Sequence, residues 1–273
     1  MKNNTTTEQY SNSLLFERII ENLVKSGLTK EQITRKHTSV FDEFHIRGRE
    51  VTVELLNSLQ LNQSHKVLDV GCGLGGPCRM IAETYDCKVV GLDLTAEYIR
   101  TAQMLSELLH LDSHTQFLQG DALMLPFESK SFDLVFTQHV QMNIEDKAQF
   151  YSEINRVLKP GGKFIYYDVF CNGNHPLPYP LPWANKKSLS FLINSTEKDE
   201  YLIGLGMNEI TTTNQSEKGS KFMNAFLEKA EKKPTLLSGQ KLLMGDNTEE
   251  KLLNIQKCLT ENRIVLQSGI WEK

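Results

Sequence analysis

The most chemically suggestive part of the sequence is a glycine-rich stretch that directly follows a short apolar run. Residues 67–76 are Val-Leu-Asp-Val-Gly-Cys-Gly-Leu-Gly-Gly. Gly71, Gly73 and Gly76 permit a sharp turn and leave the backbone accessible to a ligand. The same spacing, G-x-G-x-x-G, occurs in dinucleotide-binding proteins, where the turn carries a pyrophosphate. The turn therefore predicts a nucleotide-like ligand, but it does not distinguish a dinucleotide from other ligands of this kind.

Asp69, two residues before the turn, favours one kind of ligand over the other. A carboxylate beside the turn would repel a pyrophosphate at short range. It would attract an ammonium group, such as that at the methionine end of S-adenosylmethionine. Asp93 lies 22 residues after Gly71, where an acid accepts hydrogen bonds from ribose hydroxyls in either kind of ligand. Asp121, after the third predicted strand, could accept a hydrogen bond from the exocyclic amine of adenine.

The candidates for proton transfer are His139, His45 and Asn143. Histidine titrates near neutral pH, so His139 suits the removal of a proton from a protonated or weakly acidic acceptor. Alternatively, His139 is a hydrogen-bonded polar residue in the wall of the site, without a catalytic role. His45 could instead belong to a surface turn, and Asn143 could cap a helix that starts at Ile144. The seven histidines show no metal-ligand spacing, so we expect no metal site.

A parallel sheet would bring these residues together. Short apolar runs, each followed by a helical pattern, predict a doubly wound α/β sheet. A segment that carries four prolines within residues 176–182 and the aromatic residues Tyr179 and Trp183 predicts an insertion over the carboxyl edge of that sheet. The predicted strands are Lys66–Val70, Cys87–Leu92, Thr115–Gln119, Phe132–Thr137, Lys163–Val169 and Arg263–Trp271. The predicted helices cover residues 13–25, a short one near 29, 48–59, 75–84, 95–110, 144–158, 218–232 and 248–260.

The ordered motifs resemble those of class I S-adenosylmethionine-dependent methyltransferases. The glycine-rich turn, Gly120-Asp121-Ala122, Phe132–Phe136 and Leu158–Phe164 match this series in order and spacing across residues 66–169. The resemblance extends over nearly the whole chain after residue 40. Phe44–Glu50 is similar to the entry helix of the small-molecule branch. Thr137–Ile144, the Pro-Trp insertion and Leu242–Asp246 are nearest to bacterial enzymes that resemble sarcosine/dimethylglycine N-methyltransferases.

The resemblance implies a Rossmann-like, doubly wound sheet of seven mostly parallel strands, the last of them antiparallel. It implies a helical lid and entry helix in residues 1–60 and a methyltransferase domain in residues 61–273, with an insertion at 170–195. The substrate would lie under residues 10–50 and 170–195. The cofactor would be S-adenosylmethionine, with contacts expected from Asp69, Gly71, Cys72, Gly73, Asp93, Leu94, Asp121, Ala122 and Gln138.

The implied activity is methyl transfer to a small-molecule acceptor, such as the amines sarcosine and dimethylglycine. The alternative is C- or O-methylation of a quinone, a tocopherol-like phenol or another hydrophobic metabolite. Basic residues that point inward, for which Arg47 and Arg49 are candidates, would favour amino acids, and an apolar pocket would favour rings. In the phosphoethanolamine branch the position of His139 is acidic and that of Asn143 is a catalytic histidine, so both departures disfavour phosphoethanolamine. An NAD-dependent dehydrogenase and a catalytically inactive cofactor-binding protein are the remaining hypotheses.

Composition restricts the other partners. A net charge of −4 disfavours nucleic acid. No stretch reaches the roughly 18 to 20 apolar residues of a membrane span, and the polar N-terminus does not resemble a signal peptide. Five cysteines without a C-x-x-C pair fit a reducing compartment, so we expect a cytoplasmic protein. The oligomeric state is not encoded in these patterns.

Overall fold

A seven-stranded sheet forms the centre of the computed structural model, which describes residues 14–57 and 59–273. The strand order is β3-β2-β1-β4-β5-β7-β6. The first five strands are parallel, and β7 lies antiparallel between β5 and β6. This confirms the predicted Rossmann-like sheet with an antiparallel last strand. The strands are β1 (Lys66–Val70), β2 (Lys88–Asp93), β3 (Thr115–Gln119), β4 (Phe132–Gln138), β5 (Leu158–Cys171), β6 (Asn208–Asn214) and β7 (Ile264–Glu272).

Helices cover the sheet, and a helical segment precedes it. The central strands are apolar and fully buried, as Val67, Leu68 and Val70 of β1 show, because parallel strands are covered on both faces. The α-helices are α1 (Leu15–Lys25), α2 (Arg35–Asp42), α3 (Arg49–Asn57), α4 (Gly76–Tyr85), α5 (Ala96–Leu108), α6 (Lys147–Val157), α7 (Ser195–Gly204), α8 (Ser216–Lys232), α9 (Ser238–Met244) and α10 (Thr248–Thr260). None of the helices in the described ranges combines the length and hydrophobicity that crossing a bilayer requires.

The helices before the sheet are anchored to its helical layer. Leu15 and Ile19 of α1 are fully buried in a cluster that includes Leu105 of α5 and Leu243 of α9. The predicted helix at residues 13–25 is observed from Leu15, while Ser13 lies outside the described residues. The predicted short helix near Thr29 is a 3₁₀ turn at Lys30–Gln32, followed by α2. This arrangement carries the chain across the sheet's carboxyl edge before β1 begins.

Two details after β4 and α6 differ from the predictions. Asn143 does not cap a helix that starts at Ile144. It belongs to a 3₁₀ turn, Gln141–Asn143, and α6 begins later, where the Asp146 side chain accepts a hydrogen bond from the Gln149 backbone. The Lys-Pro-Gly-Gly segment ends α6 as predicted, but β5 already starts at Leu158. Gly161, with φ +75°, lets the strand continue through this irregular segment.

Three elements lacked a recognisable sequence pattern. Strand β6 was implied by the resemblance but not located, because its residues Asn-Glu-Ile-Thr-Thr-Thr-Asn are mostly exposed and show no apolar alternation. Helix α7 has only two fully buried positions, Lys198 and Leu202, so its periodicity is weak. Helix α9 has only seven residues.

Candidate active site

A cavity of about 1290 Å³ lies along the carboxyl ends of β1 to β4. Segments from residues 39–48 and 182–191 contribute to its lining, together with α8, α9 and α10. All nine residues expected to contact the cofactor line it, and so do His139, His45 and Asn143. The fold therefore brings the twelve predicted site residues to one place.

The glycine-rich turn owes its shape to positive backbone angles and close packing. Gly71 has φ +77°, and a Cβ at this position would overlap the Val140 side chain. The backbone N–H groups of Gly71 and Cys72 donate to the Leu92 carbonyl at 2.7 and 3.0 Å, which ties the turn to β2. At Gly73, with φ +54°, the space that a Cβ would fill is open. A ligand can therefore approach the backbone closely at Gly73.

Three carboxyl groups lie at or near the carboxyl ends of neighbouring strands. Asp69 is 2% exposed and accepts a hydrogen bond from the Cys78 thiol at 3.2 Å. Burial raises the pKa of Asp69 to about 7, and the nearby charge of Asp93 adds to this. Burial also raises the pKa of Asp93, although its carboxylate accepts hydrogen bonds from the Gly73 and Thr95 backbones, each at 2.9 Å. Asp121 accepts a hydrogen bond from the backbone of Leu123 at 2.9 Å.

These features fit the polar groups of an adenosyl amino acid. A buried carboxyl group with a raised pKa gains most from a cationic partner, because an opposite charge restores its ionised form. The ammonium group of a ligand would supply that charge at Asp69. The carboxylate oxygens of Asp93 and Asp121 are of the kind that accepts hydrogen bonds from hydroxyl and amine donors.

A polar cluster forms beside the end of β4. The Thr52 hydroxyl donates to Glu43 Oε2 at 3.0 Å and lies 3.2 Å from His45 Nε2 and 3.3 Å from Gln138 Oε1. His45 Nε2 is also 2.9 Å from the Gly48 carbonyl oxygen. A carbonyl can only accept, so Nε2 carries the imidazole proton and Nδ1 is the acceptor nitrogen. Burial, with the charge of Asp42, raises the pKa of Glu43 to about 8.

His139 follows β4 in a left-handed conformation, with φ +54°. Its backbone N–H donates to the Tyr167 carbonyl at 2.8 Å, and its ring centroid is 5.1 Å from that of Tyr167 and 6.0 Å from that of His45. Burial, with His45 as a second cause, holds the pKa of His139 well below its usual range, and burial lowers the pKa of His45 to about 4. Both rings are therefore neutral near pH 7.

Several polar atoms in this region are buried without a hydrogen-bond partner. They are Glu43 Oε1, Gln138 Nε2, His139 Nε2, Asn143 Oδ1 and Tyr167 OH. Buried polar atoms are normally satisfied by protein, water or ligand, so this concentration marks a place where a bound molecule would complete the hydrogen bonds. Glu43 and Tyr167 were not predicted from the sequence. Only the neighbouring His45 pointed to the segment that carries Glu43.

The remaining wall of the cavity is apolar. Trp183 lines it and its indole N–H donates to the Ser190 hydroxyl at 2.9 Å, whereas Tyr179 packs against the core cluster that contains Trp183 and is not a lining residue. Among the lining residues of the described ranges, Lys186 is the only lysine or arginine, and it is exposed. The Arg47 guanidinium pairs with Glu54 at 2.5 Å instead. The apolar lining includes Phe44, Leu189, Phe191, Phe222, Met223, Phe226, Leu243, Met244, Leu252 and Ile255.

The described residues contain no group of three or more His, Cys, Asp or Glu side chains arranged to hold a metal ion. All five cysteines are free, and Cys72 and Cys78 are buried beside the turn. Burial raises the pKa of Cys72 to about 11, so its thiol stays protonated. Cys72 therefore acts as a small buried side chain and not as a nucleophile.

Comparison with known proteins identifies the domain. Residues 68–166 match the family model described as a methyltransferase domain. Residues 68–166 of this chain therefore belong to a methyltransferase domain. The matched residues run from β1 into β5 and include the glycine-rich turn and all three acids.

The full fold is shared with solved methyltransferase structures. Phosphoethanolamine N-methyltransferase 2 of Haemonchus contortus, in complex with phosphomonomethylethanolamine and S-adenosylhomocysteine, has a TM-score of 0.74 and 20% identity, covering 93% of this chain and 60% of that one. A protein of Galdieria sulphuraria, provisionally assigned as a sarcosine dimethylglycine methyltransferase, has a TM-score of 0.66 and 17% identity, covering 82% of this chain and 84% of that one. Both similarities concern the fold.

Curated relatives add a different acceptor class. The sterol 24-C-methyltransferase of Debaryomyces hansenii is 40% identical over 114 residues, which are 42% of this chain and 30% of that protein. The matched segment thus spans less than a third of the length of that sterol relative. Relatives of the same fold methylate carbon or nitrogen, so the acceptor must be inferred from the walls of this cavity.

Proposed function

We propose that this chain transfers a methyl group from S-adenosylmethionine to an oxygen or carbon atom of a small acceptor with a large apolar body. The observation that carries the proposal is the composition of the cavity, which combines a polar cluster after β4 with an extensive apolar wall and, within residues 14–57 and 59–273, no buried cation in its lining.

The cofactor is assigned to the glycine-rich turn and the three acids. Asp69 would pair with its ammonium group, Asp93 would accept from the ribose hydroxyls, and Asp121 would accept from adenine. Gly73 leaves the backbone open on the same side. When bound, the cofactor supplies a methyl group attached to a sulfonium, which is a good leaving group. The protein therefore has to align the acceptor and exclude water.

The size and lining of the cavity indicate the acceptor. Pockets for drug-sized ligands measure about 300–1,000 Å³, so about 1290 Å³ accommodates the cofactor together with a second molecule. Aromatic and aliphatic side chains from α8, α9 and α10 form much of the remaining wall. Burial of apolar surface contributes roughly 25 cal/mol per Å², so this wall favours a ring system or a hydrocarbon chain.

The same lining makes sarcosine and dimethylglycine less suitable acceptors. Each carries a carboxylate, and a buried carboxylate needs a cation or several hydrogen-bond donors. Lys186 is exposed, and Arg47 is neutralised by Glu54. The sequence-based alternative, methylation of a quinone, a phenol or another hydrophobic metabolite, therefore fits the geometry better.

We assign the lid function to residues 39–48 and 182–191. Both segments contribute side chains to the cavity wall, and the Lys147 ammonium holds the second one by donating to the Phe191 carbonyl at 2.6 Å. Their closure would exclude water from the reacting groups. His139, neutral and next to Tyr167, would then contact the acceptor.

A methyl-transfer screen with labelled S-adenosylmethionine tests the proposal. One set of acceptors would contain phenols and quinols with alkyl chains of increasing length, and the other would contain glycine, sarcosine and dimethylglycine. We expect label in the first set, with KM falling as the chain lengthens. Label only in the amino acids would refute the assigned acceptor class. Tight cofactor binding without transfer to any acceptor would instead favour a protein that binds the cofactor without catalysis.

A further inference from the structure

We infer that Glu43 is a further catalytic residue, whose carboxylate takes the proton that the acceptor loses on methylation. This inference rests on the proposed function and extends it, because it assigns the proton acceptor to a side chain outside the twelve predicted site residues.

The position of Glu43 is fixed from two sides. Glu43 directly follows α2, and the preceding Asp42 forms a fully buried ion pair with Arg79 of α4 at 2.7 Å. The Asp42 carbonyl also occupies the space that a Cβ of Gly76 would need. This end of α2 is therefore packed against the first turn of α4, immediately after the glycine-rich turn.

On its other side, Glu43 is connected to the end of β4. The Thr52 hydroxyl donates to Glu43 Oε2 at 3.0 Å and lies 3.3 Å from Gln138 Oε1. Gln138 immediately precedes His139. Glu43, Gln138 and His139 all line the cavity. Glu43 thus lies between the turn assigned to the cofactor and the cluster assigned to the acceptor.

The two carboxyl oxygens of Glu43 have different surroundings. Oε2 is held by Thr52, whereas Oε1 is buried without a partner. Residue Glu43 is 6% exposed, so bulk water does not replace the missing contact. One oxygen fixes the orientation of the group and the other is available to a proton donor.

The charged and titratable groups around Glu43 determine its affinity for a proton. Burial and Asp42 raise its pKa to about 8, against the opposing effects of Thr52, Arg35 and Arg79. His45 Nε2 lies 3.7 Å from Oε2, and burial keeps that ring neutral. A general base works best when its pKa is near the operating pH. Glu43 meets this condition, whereas the lowered pKa values of His45 and His139 make both rings poor proton acceptors.

The step balances for an acceptor hydroxyl. A lone pair of the hydroxyl oxygen forms the bond to the methyl carbon as the bond from that carbon to sulfur breaks, and the electron pair of the broken bond stays on sulfur. The hydroxyl proton moves to Glu43 Oε1. The sulfonium cation and the carboxylate anion are thereby replaced by a neutral thioether and a neutral carboxylic acid. Glu43 then returns its proton to solvent after product release.

The charge of the sulfonium provides a test that does not depend on turnover. A cation near a carboxyl group lowers the pKa of that group, so binding of S-adenosylmethionine should release a proton from Glu43. S-adenosylhomocysteine carries the same ammonium, ribose and adenine but a neutral sulfur. Asp69 and Asp93 meet the same groups in both ligands. His45 and His139 are already neutral and have no proton to release.

The experiment is titration calorimetry with each ligand at pH 7.5, in two buffers that differ in ionisation enthalpy. A carboxyl group with a pKa of about 8 is roughly one quarter ionised at pH 7.5, so up to about three quarters of a proton can be released per site. We expect S-adenosylmethionine to release more protons than S-adenosylhomocysteine in the wild type and in Glu50→Gln, an exposed control on α3. The excess should be absent in Glu43→Gln, which keeps the size of the side chain and an oxygen for Thr52.

An equal excess in Glu43→Gln, or none in the wild type, would overturn the assignment. If the screen identifies an acceptor, Glu43→Gln should lower kcat by about 10²–10⁴-fold and remove the rise with pH, below about pH 8, of kcat/KM for S-adenosylmethionine, which reports the ligand-free enzyme. An unchanged kcat would also overturn it while leaving the proposed function intact. If neither ligand binds, the proposed function and the role of Glu43 fail together. If both bind but no acceptor is methylated, the proposed function fails and the catalytic role of Glu43 fails with it.

Discussion

Replacement of Asp69 by Asn should weaken the binding of the cofactor and remove most of its pH dependence. Asp69 is 2% exposed, accepts a hydrogen bond from the Cys78 thiol and lines the cavity directly before the glycine-rich turn. We assign to it the ammonium group of S-adenosylmethionine. A hydrogen bond to a charged group contributes about 1.5–3 kcal/mol, which corresponds to roughly 10- to 150-fold in Kd. The variant should show that loss at pH 8.

The pH dependence follows from the direction of the pKa shift. Burial raises the pKa of Asp69 to about 7 in the absence of ligand, and an ammonium group lowers it again because it favours the ionised form. Below pH 7, binding must therefore expel a proton, and the Kd of the wild type should rise about tenfold per pH unit. Above pH 7 the Kd should be nearly constant. The Asn variant has no proton to lose at this position, so its disadvantage should shrink about fivefold between pH 7 and pH 6.

Calorimetry with S-adenosylhomocysteine from pH 6 to 8.5 would measure both effects. Asp112→Asn provides a control, because it makes the same chemical change on the exposed segment before β3. Melting temperatures would show that each variant is folded. Wild-type affinity in Asp69→Asn at pH 8 would refute the assignment of the ammonium group. A wild-type Kd that is constant from pH 6 to 8 would refute the reasoning from burial.

Three further substitutions test the turn, the lid and the apolar wall. Gly71→Ala should lower the melting temperature more than Gly161→Ala, because both have left-handed backbones but only the first new Cβ would overlap Val140; equal effects would contradict the packing argument. Lys147→Met should raise the KM of the acceptor, because the Phe191 segment loses its ammonium donor, and an unchanged KM would contradict a role in the lid. Phe226→Ala should raise KM most for acceptors with the longest alkyl chains and leave the Kd of S-adenosylhomocysteine unchanged. An equal rise in KM for all acceptors would show that the alkyl chain of the acceptor does not contact Phe226.

The cofactor end of the cavity was predictable because its shape is local. The run from Val67 to Gly76 contains a strand, a turn and the start of a helix, and only glycine tolerates the backbone angles at Gly71 and Gly73 without strain. Parallel pairing then places the ends of β1 and β2 in register, with Asp69 opposite Gly91. Topology alone therefore carries Asp93 to the turn. The roles assigned to these acids remain predictions.

The acceptor end was much less predictable because distant segments build it. The surroundings that distinguish Glu43 from other glutamates are its contact with Thr52 and its proximity to Gln138. These three residues are up to 95 positions apart in the sequence. Its pKa is raised mainly because it is buried. The mostly polar sequence Asp-Glu-Phe-His around it gives no indication that Glu43 is buried. His139 was found because it follows a strand end, but its lowered pKa depends on His45 and on the fold around both.

The division of the cavity explains why fold and chemistry are easier to infer than the acceptor. The turn and the acids belong to the region that matches the methyltransferase family, residues 68–166. Helices α8 to α10 and the segment at residues 182–191 lie outside that region, yet they supply much of the apolar wall. A change at Met223 or Ile255 could alter the acceptor without touching the cofactor end. Proteins that share this sheet can therefore methylate different atoms, and the acceptor of this chain must be sought among molecules that match its own apolar wall.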